Sequence, residues 1–552
     1  MQKGLPSRLG PNGHQAIAAA LKSGGVTHVY SLPGNPIYAT LGACAEAGLT
    51  VIGCRSQFGA LSAAMAQNFQ AGALRAVALC SPTPGVTNSI TSLSDAKYNH
   101  WPMVLIAGVI EEPEIPEAQV LGDQAQISAG FQSFDGAQAA APCCKAVVKL
   151  QDRTALSAGI SAALEQAQTV PRGPVFVEVG ARVLNARHAT QAPAPQKQAP
   201  ARPLADPQQL DCAQRPVLIL GENLRWLSAL TPDQTMHLQS VLEQLQLPVL
   251  ATDMGRGIVP DLHRLSVFMA QEEALQNCDH LLLCGAALDW RFGARSFLDP
   301  KVSIEQVPVC FEHLLRLLEA ANPQPGRAQW ADDLTQAHAR GLAKLRQQAT
   351  KGSEAWRMNA LCEALGRWLP ETAMTILDSG LALSSGHKLW PVQQPFARMT
   401  AGQNGTMGLG IPFALGAAVR EQDQPHAERR PVVALVGDVG FALSASELET
   451  AQRQGARMII IVADNGGING RGFQDQWLPT GSPDIIRYGT QVDYAQVARG
   501  WGVRGVTAAS GKALHLALSE ALVAEGPTVI SVPLAQFCEA SKPVTDRGAD
   551  GS

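Results

Sequence analysis

No Cys-x-x-Cys pair occurs in this 552-residue chain, and two of its eleven cysteines, Cys143 and Cys144, are neighbours. That pattern indicates neither a zinc site nor a disulfide framework, and reduced thiols in a cytoplasmic protein are the simplest expectation. No apolar run reaches the length needed to cross a membrane, and the start, MQKGLPSRLGPNG, lacks the apolar core of a signal peptide. There is no basic excess: the net charge is −4, which argues against nucleic acid as a partner. Aromatic residues are sparse at 5 %. The balance of 46 % hydrophobic and 16 % charged residues is that of a globular protein, not a disordered one.

Length excludes a single core and suggests about three domains. Ala186 to Pro207 (ARHATQAPAPQKQAPARPLADP) is rich in Pro, Ala and Gln and reads as an extended linker. Ala321 to Ser353 opens with proline-rich turns and continues as a polar helical stretch, a second connector. The expected domains are therefore 1–185, 208–320 and 354–552. Within each, short apolar runs alternate with helical composition. The runs are 26–32, 50–53, 76–80 and 103–107, then 216–220, 248–251 and 280–284, then 374–377, 432–436, 459–462 and 528–532. Alternation of this kind predicts α/β architecture, with three doubly wound parallel-sheet domains.

One stretch carries chemistry. Pro431 to Gly437 (PVVALVG) reads as a buried strand ending in Gly437-Asp438. Ser444 to Gly455 reads as a helix with a serine to cap it and a glycine to end it. Met458 to Ala463 is a second strand, closed by Asp464-Asn465-Gly466-Gly467. A right-handed crossover makes the strands parallel and sets Asp438 and Asn465 on neighbouring loops, where open α/β sheets hold ligands. A carboxylate, an amide oxygen and a backbone carbonyl suit Mg²⁺ beside a diphosphate. Taken singly, a Gly-Asp after a strand, a loop glycine or a methionine such as Met407 is more often structural than functional.

Together with other landmarks, the segment resembles the thiamine-diphosphate enzymes of the acetolactate synthase, oxalyl-CoA decarboxylase and 2-hydroxyacyl-CoA lyase superfamily. The family signature, Gly-Asp-Gly followed at some distance by Asn-Asn, stands here as Gly437-Asp438-Val439 and Asp464-Asn465, 27 positions from Asp438 to Asn465. The resemblance implies metal ligation by Asp438, Asn465 and the Gly467 carbonyl, and cofactor contacts from Gly437, Val439, Gly440 and Ile468. In the run Gly405-Thr406-Met407-Gly408-Leu409-Gly410, it implies that Met407 props the cofactor into a bend and that the Gly405 carbonyl takes a hydrogen bond from its 4′-amino group. Pro33 and Gly34, Arg55-Ser56-Gln57, Gly85 to Asn88 and Phe131-Gln132 follow the family's pyrimidine-side order. Gln57 stands where the family carries the glutamate that drives activation of the pyrimidine. Glutamine keeps a hydrogen bond but carries no proton.

The implied activity is decarboxylation or carboligation of a 2-oxo acid or related acyl donor, through a C2-ylide and enamine, with thiamine diphosphate and Mg²⁺. A homodimer or homotetramer is implied, with the site between the first domain of one subunit and the third of another. Two alternatives stand beside it: a slow or atypical carbon–carbon lyase or ligase, because of Gln57, and a non-catalytic scaffold or regulatory subunit. Asn35, Tyr38, His100, Gln132, His387 and Asn469 are the candidate substrate residues. Asn469 replaces a tyrosine usual in coenzyme A-using relatives. Ile219 to Asn223 and Cys284 to Ala286 stand at strand ends where relatives bind FAD or ADP. They form no G-x-G-x-x-G fingerprint, so a central domain without nucleotide is expected. The polar tail after Gln536 reads as a lid or as disordered.

Overall fold

The computed structural model describes residues 12–110, 132, 134–186, 208–226, 230–295, 298–308, 310–349, 354–468, 478–487 and 492–537. Asn469 and all but the end of the 469–478 stretch fall outside them, as do Phe131 and the tail beyond 537. Among the described residues sixteen strands form three sheets, every pairing parallel. The first sheet contains β1 (His28–Ser31), β2 (Thr50–Gly53), β3 (Ala76–Cys80), β4 (Met103–Val109), β5 (Ala146–Leu150) and β6 (Pro174–Gly180), in the order β2-β1-β3-β4-β6-β5. The second contains β7 (Pro216–Leu220), β8 (Val249–Ala251), β9 (His280–Cys284) and β10 (Ser303–Val307), in the order β10-β9-β7-β8. The third contains β11 (Met374–Leu377), β12 (Arg398–Thr400), β13 (Val432–Gly437), β14 (Ile459–Asp464), β15 (Arg504–Thr507) and β16 (Thr528–Pro533). Its order, β12-β11-β13-β14-β16-β15, repeats that of the first sheet. All-parallel sheets need both faces covered by helices, and the apolar runs of the central strands meet that need.

Five strands escape the sequence reading. β5, β10, β12 and β15 are edge strands. Paired on one side only, β5, β10 and β15 keep partly exposed residues and lack the continuous apolar run of a buried strand. β12 is buried but only three residues long. β6 is central, yet it starts at a proline and is interrupted by Glu178, whose carboxylate lies 3.7 Å from Lys149 Nζ on β5. The polar stretch after 321 forms the helix Arg327–Ala349. Trp330 on it donates its indole N–H to the Pro216 carbonyl at 3.1 Å, and Leu334 is buried, so this helix packs on the second sheet.

Two helices join the first and third domains: Gln57–Ala71 lies along Gly410–Gln422. A side chain at Gly416 would fall on the Ala63 backbone, so glycine is what permits this approach. Four aromatic rings meet at the junction. Phe69 stacks on Trp101 at 4.9 Å, Trp101 on Phe413 at 5.8 Å, and Trp226 of the central domain meets Phe69 edge-on at 5.9 Å. The central domain is tied to the third through charge. Arg256 is buried, donates to Asp261 through Nε at 2.9 Å and Nη2 at 2.5 Å, and also donates to the His387 carbonyl. Its guanidinium covers the Phe268 ring at 3.9 Å. Asp261 in turn accepts from the Val392 N–H at 2.6 Å.

Candidate active site

β13 and β14 are neighbours in register, Gly437 opposite Ala463, so both chains leave the sheet at the same edge. The expected loop after β13 is instead a short helix, Asp438–Ser444, and Asp438 is its first residue. Ser444 does not cap a helix running to Gly455. It ends the first short helix, with its hydroxyl turned back to the Gly440 carbonyl, and a second helix, Glu447–Arg453, follows.

Asp438 is 3 % exposed. Its Oδ1 accepts from the Val439 N–H at 2.8 Å and its Oδ2 from the Gly467 N–H at 2.8 Å. The Gly467 N–H also reaches Asn465 Oδ1 at 3.3 Å, so carboxylate and amide oxygens converge on one loop. Gly467 has φ +148, and a side chain there would strike the Ile486 carbonyl. Burial, opposed by these N–H donors and reinforced by nearby Asp464, pushes the Asp438 carboxyl up to about 6. A carboxylate and an amide oxygen beside the Gly467 peptide form an all-oxygen donor set of the kind Mg²⁺ takes, and a cation there would offset the cost of burying the charge. The residues fit the metal.

The cleft in front of this loop is lined by Met407, Gly437, Asp438, Val439, Gly440, Asn465, Gly467 and Ile468, together with Met358 and the stretch from Asp378 to Ala382. Met407 is 42 % exposed, so its side chain is open to the cleft it lines. Gly405 and Gly408 on either side have φ +67 and +86. Asp378 had no place in the sequence reading. It follows β11, is buried, and accepts from the N–H groups of Ser379 at 2.7 Å, Gly408 at 3.1 Å and Gly410 at 3.3 Å, fixing the loop behind Met407. The signal was available: Ile376-Leu377-Asp378-Ser379-Gly380 repeats the strand-then-Asp pattern of β13.

Burial, opposed by its three backbone donors, raises the Asp378 carboxyl to about 6. The folded chain therefore keeps a proton that the unfolded chain releases near the ordinary value of 3.8. Stability from this group is complete below that value and is lost as pH rises through about 6. We expect the thermal midpoint of the cofactor-free chain to fall across this window less steeply in Asp378→Asn than in wild type. Equal slopes would show that Asp378 does not hold the proton.

The first-domain candidates form a separate group. Gln57 opens the helix Gln57–Ala71, is 8 % exposed, and accepts from Asn88 Nδ2 at 3.2 Å through Oε1. Gly34 and Gly85 both pack on Ser81, and Pro33 is exposed beside them. Asn35 and His100 are exposed, Tyr38 is 58 % exposed, and Gln132 is half-buried. None of these lines the Asp438 cleft, all of whose lining belongs to the third domain. His387 does not line it either: Nδ1 stands 2.7 Å from Asp253 Oδ1 of the central domain. At the carboxyl ends of β7 and β9, Glu222 and Arg291 pair at 3.3 Å, and Arg291 also pairs with Asp289 at 2.8 Å.

Glu447 joins the two groups and was also missed. It is wholly buried, accepting from the Arg55 N–H at 3.2 Å, Ser56 Oγ at 2.9 Å and Thr450 Oγ1 at 2.8 Å. Ser56 is the residue that caps the Gln57 helix, accepting from the Gly59 N–H at 2.8 Å. Burial raises the Glu447 carboxyl, against these donors.

Three family models match the chain. They are the thiamine pyrophosphate enzyme N-terminal TPP binding domain over 11–135, the central domain over 208–320 and the C-terminal TPP binding domain over 378–532. Among curated proteins, the chain is 25 % identical to 2-hydroxyacyl-CoA lyase of Arabidopsis thaliana, covering 96 % of each. It is 26 % identical to 2-hydroxyacyl-CoA lyase 1 of Homo sapiens, over 84 % of this chain and 83 % of the other. It is 25 % identical to oxalyl-CoA decarboxylase of Escherichia coli (strain K12), over 94 % of each.

Proposed function

Because the chain belongs to the thiamine pyrophosphate enzymes, a family of carbon–carbon cleavage and decarboxylation, we propose that it acts on a 2-oxo acid or related acyl donor with Mg²⁺ as its metal. The observation that carries this reading is the convergence of Asp438 and Asn465 on the Gly467 N–H at adjoining strand tips. In it, Asp438, Asn465 and the Gly467 carbonyl hold the cation, while Gly437, Val439, Gly440 and Ile468 line the seat of the diphosphate. Met407 supports the coenzyme from the side and Gly405 offers its carbonyl. Pro33, Gly34, Gly85, Asn88 and Gln57 act from the first domain of another subunit, so the working unit is a homodimer or homotetramer. The separation of the two residue groups within one chain supports that assignment. When bound, thiamine diphosphate supplies the electron sink that cleavage beside a carbonyl requires.

The domains proposed are 1–185, 208–320 and 354–552. The names of the relatives support an acyl carbonyl as the point of attack, and Asn469 favours a donor without coenzyme A. Asn35, Tyr38, His100 and Gln132 are the proposed substrate contacts; His387, turned toward Asp253, is a weaker one. No helix among the described residues is long and apolar enough to cross a membrane. A second reading, slow or atypical carbon–carbon chemistry, is favoured by Gln57, whose amide accepts or donates a hydrogen bond but shuttles no proton. Asp438→Ala is expected to weaken thiamine diphosphate binding in the presence of Mg²⁺ by at least about 10–100-fold, as loss of groups around a metal does. Calorimetry giving the same affinity for both proteins would remove the reading.

A further inference from the structure

The loop that carries Gly405 and Met407 is held from outside its own domain. Asp95, on the first-domain helix Ile90–Tyr98, is fully buried at the domain junction. Its Oδ1 accepts from Asn404 Nδ2 at 2.7 Å and from Thr406 Oγ1 at 2.7 Å, the residues flanking Gly405. Its Oδ2 is equally buried and has no hydrogen-bond partner among the described residues. One turn on, Asn99 Oδ1 accepts from the Gln403 N–H at 2.9 Å, and Asn99 Nδ2 donates to the Ala401 carbonyl at 3.2 Å. Trp290 of the central domain donates its indole N–H to the Gln403 carbonyl at 2.6 Å. From its own domain the loop is fixed mainly on its far side, where Asp378 takes the Gly408 and Gly410 N–H groups. Gly405 to Met407 thus stand between two buried carboxylates from different domains. A buried carboxylate with one idle oxygen is costly to keep, and ordinary interdomain packing has no need of it.

We propose that Asp95 is a positioning residue: by gripping Asn404 and Thr406 it sets where Gly405 and Met407 stand, and hence how well the coenzyme is held. This rests on the reading of Met407 and Gly405 as coenzyme contacts. A merely structural Asp95 lowers stability throughout; a positioning one loosens this loop first. Hydrogen–deuterium exchange on the full, cofactor-free chain separates the two. In Asp95→Ala the amides of 401–408 are expected to exchange about tenfold faster while those of β13 keep their wild-type rates, since charge-assisted bonds are lost at one place. The dissociation constant for thiamine diphosphate with Mg²⁺ is expected to rise about tenfold in the same variant. Asp95→Asn keeps an acceptor oxygen for both donors and should stay within about threefold of wild type. Thr406→Val, which removes one donor and leaves the carboxylate in place, should move both readouts in the same direction by less, and it decides the matter if Asp95→Ala does not fold. Wild-type exchange over 401–408 in Asp95→Ala and Thr406→Val, or loosening of β13 by as much as the loop, overturns the proposal. If the wild-type chain itself fails to bind the coenzyme, the proposed function falls, while the exchange measurement still judges the grip of Asp95 on the loop.

Discussion

Gln57→Glu is expected to speed loss of the coenzyme's thiazolium C2 proton by about 10²–10⁴, the usual worth of a well-placed acid–base group. The position is ready for a carboxyl. Gln57 stands at the head of its helix, 8 % exposed, and Asn88 Nδ2 already donates to its Oε1 at 3.2 Å, so glutamate keeps that bond as an acceptor. Burial would favour the neutral acid, which is the state able to deliver a proton to a ring nitrogen. Quenched deuterium exchange at C2 of the bound coenzyme measures the step apart from substrate turnover. No acceleration would mean that Gln57 does not limit deprotonation, and the slow-chemistry reading would lose its only support.

Arg256→Ala is expected to cost about 3–5 kcal/mol of stability, because it strands a buried carboxylate. Asp261 is 4 % exposed and loses both guanidinium contacts, at 2.9 and 2.5 Å; the His387 carbonyl loses a donor, and Phe268 loses the cation stacked at 3.9 Å. The sign depends on removing one partner alone. Arg256→Met combined with Asp261→Leu takes away both charges and should regain much of the loss, since desolvation opposes such pairs. Urea unfolding of the three proteins tests this. A single variant within about 1 kcal/mol of wild type would fit a solvent-exposed pair, not a buried one.

Much of the architecture is readable without coordinates, for a physical reason. Central strands of parallel sheets are buried on both faces, so β4, β7, β9, β13 and β14 are written as unbroken apolar runs. Of the edge strands, β2 and β8 keep a short apolar run and the other four do not, and SIEQV or RGVT looks like loop until its neighbour is known. The site divides in the same way. Asp438, Asn465, Gly467 and Met407 are visible because motif order and strand tips lie within one stretch of chain, and the structure draws them into one cleft. Asp378, Glu447 and Asp95 are each isolated acids in sequence. Their meaning comes from partners as distant as Arg55 to Glu447, or Asp95 to Thr406, which no local pattern connects. His387 shows what a sequence leaves open: a lone histidine is packed, exposed or near a site with equal ease, and its ring turns here to Asp253.

Glu447 has a practical consequence for anyone altering this protein. The short stretch from Asp438 to Glu447 runs from the tip of β13 to the cap of the helix that begins with Gln57. Libraries that randomise the Asp438 cleft and the Gln57 group as if they were separate are expected to meet epistasis at this carboxylate. A change that shifts the tip of β13 is expected to be felt at the Ser56 cap through Glu447, so beneficial substitutions should be sought in pairs.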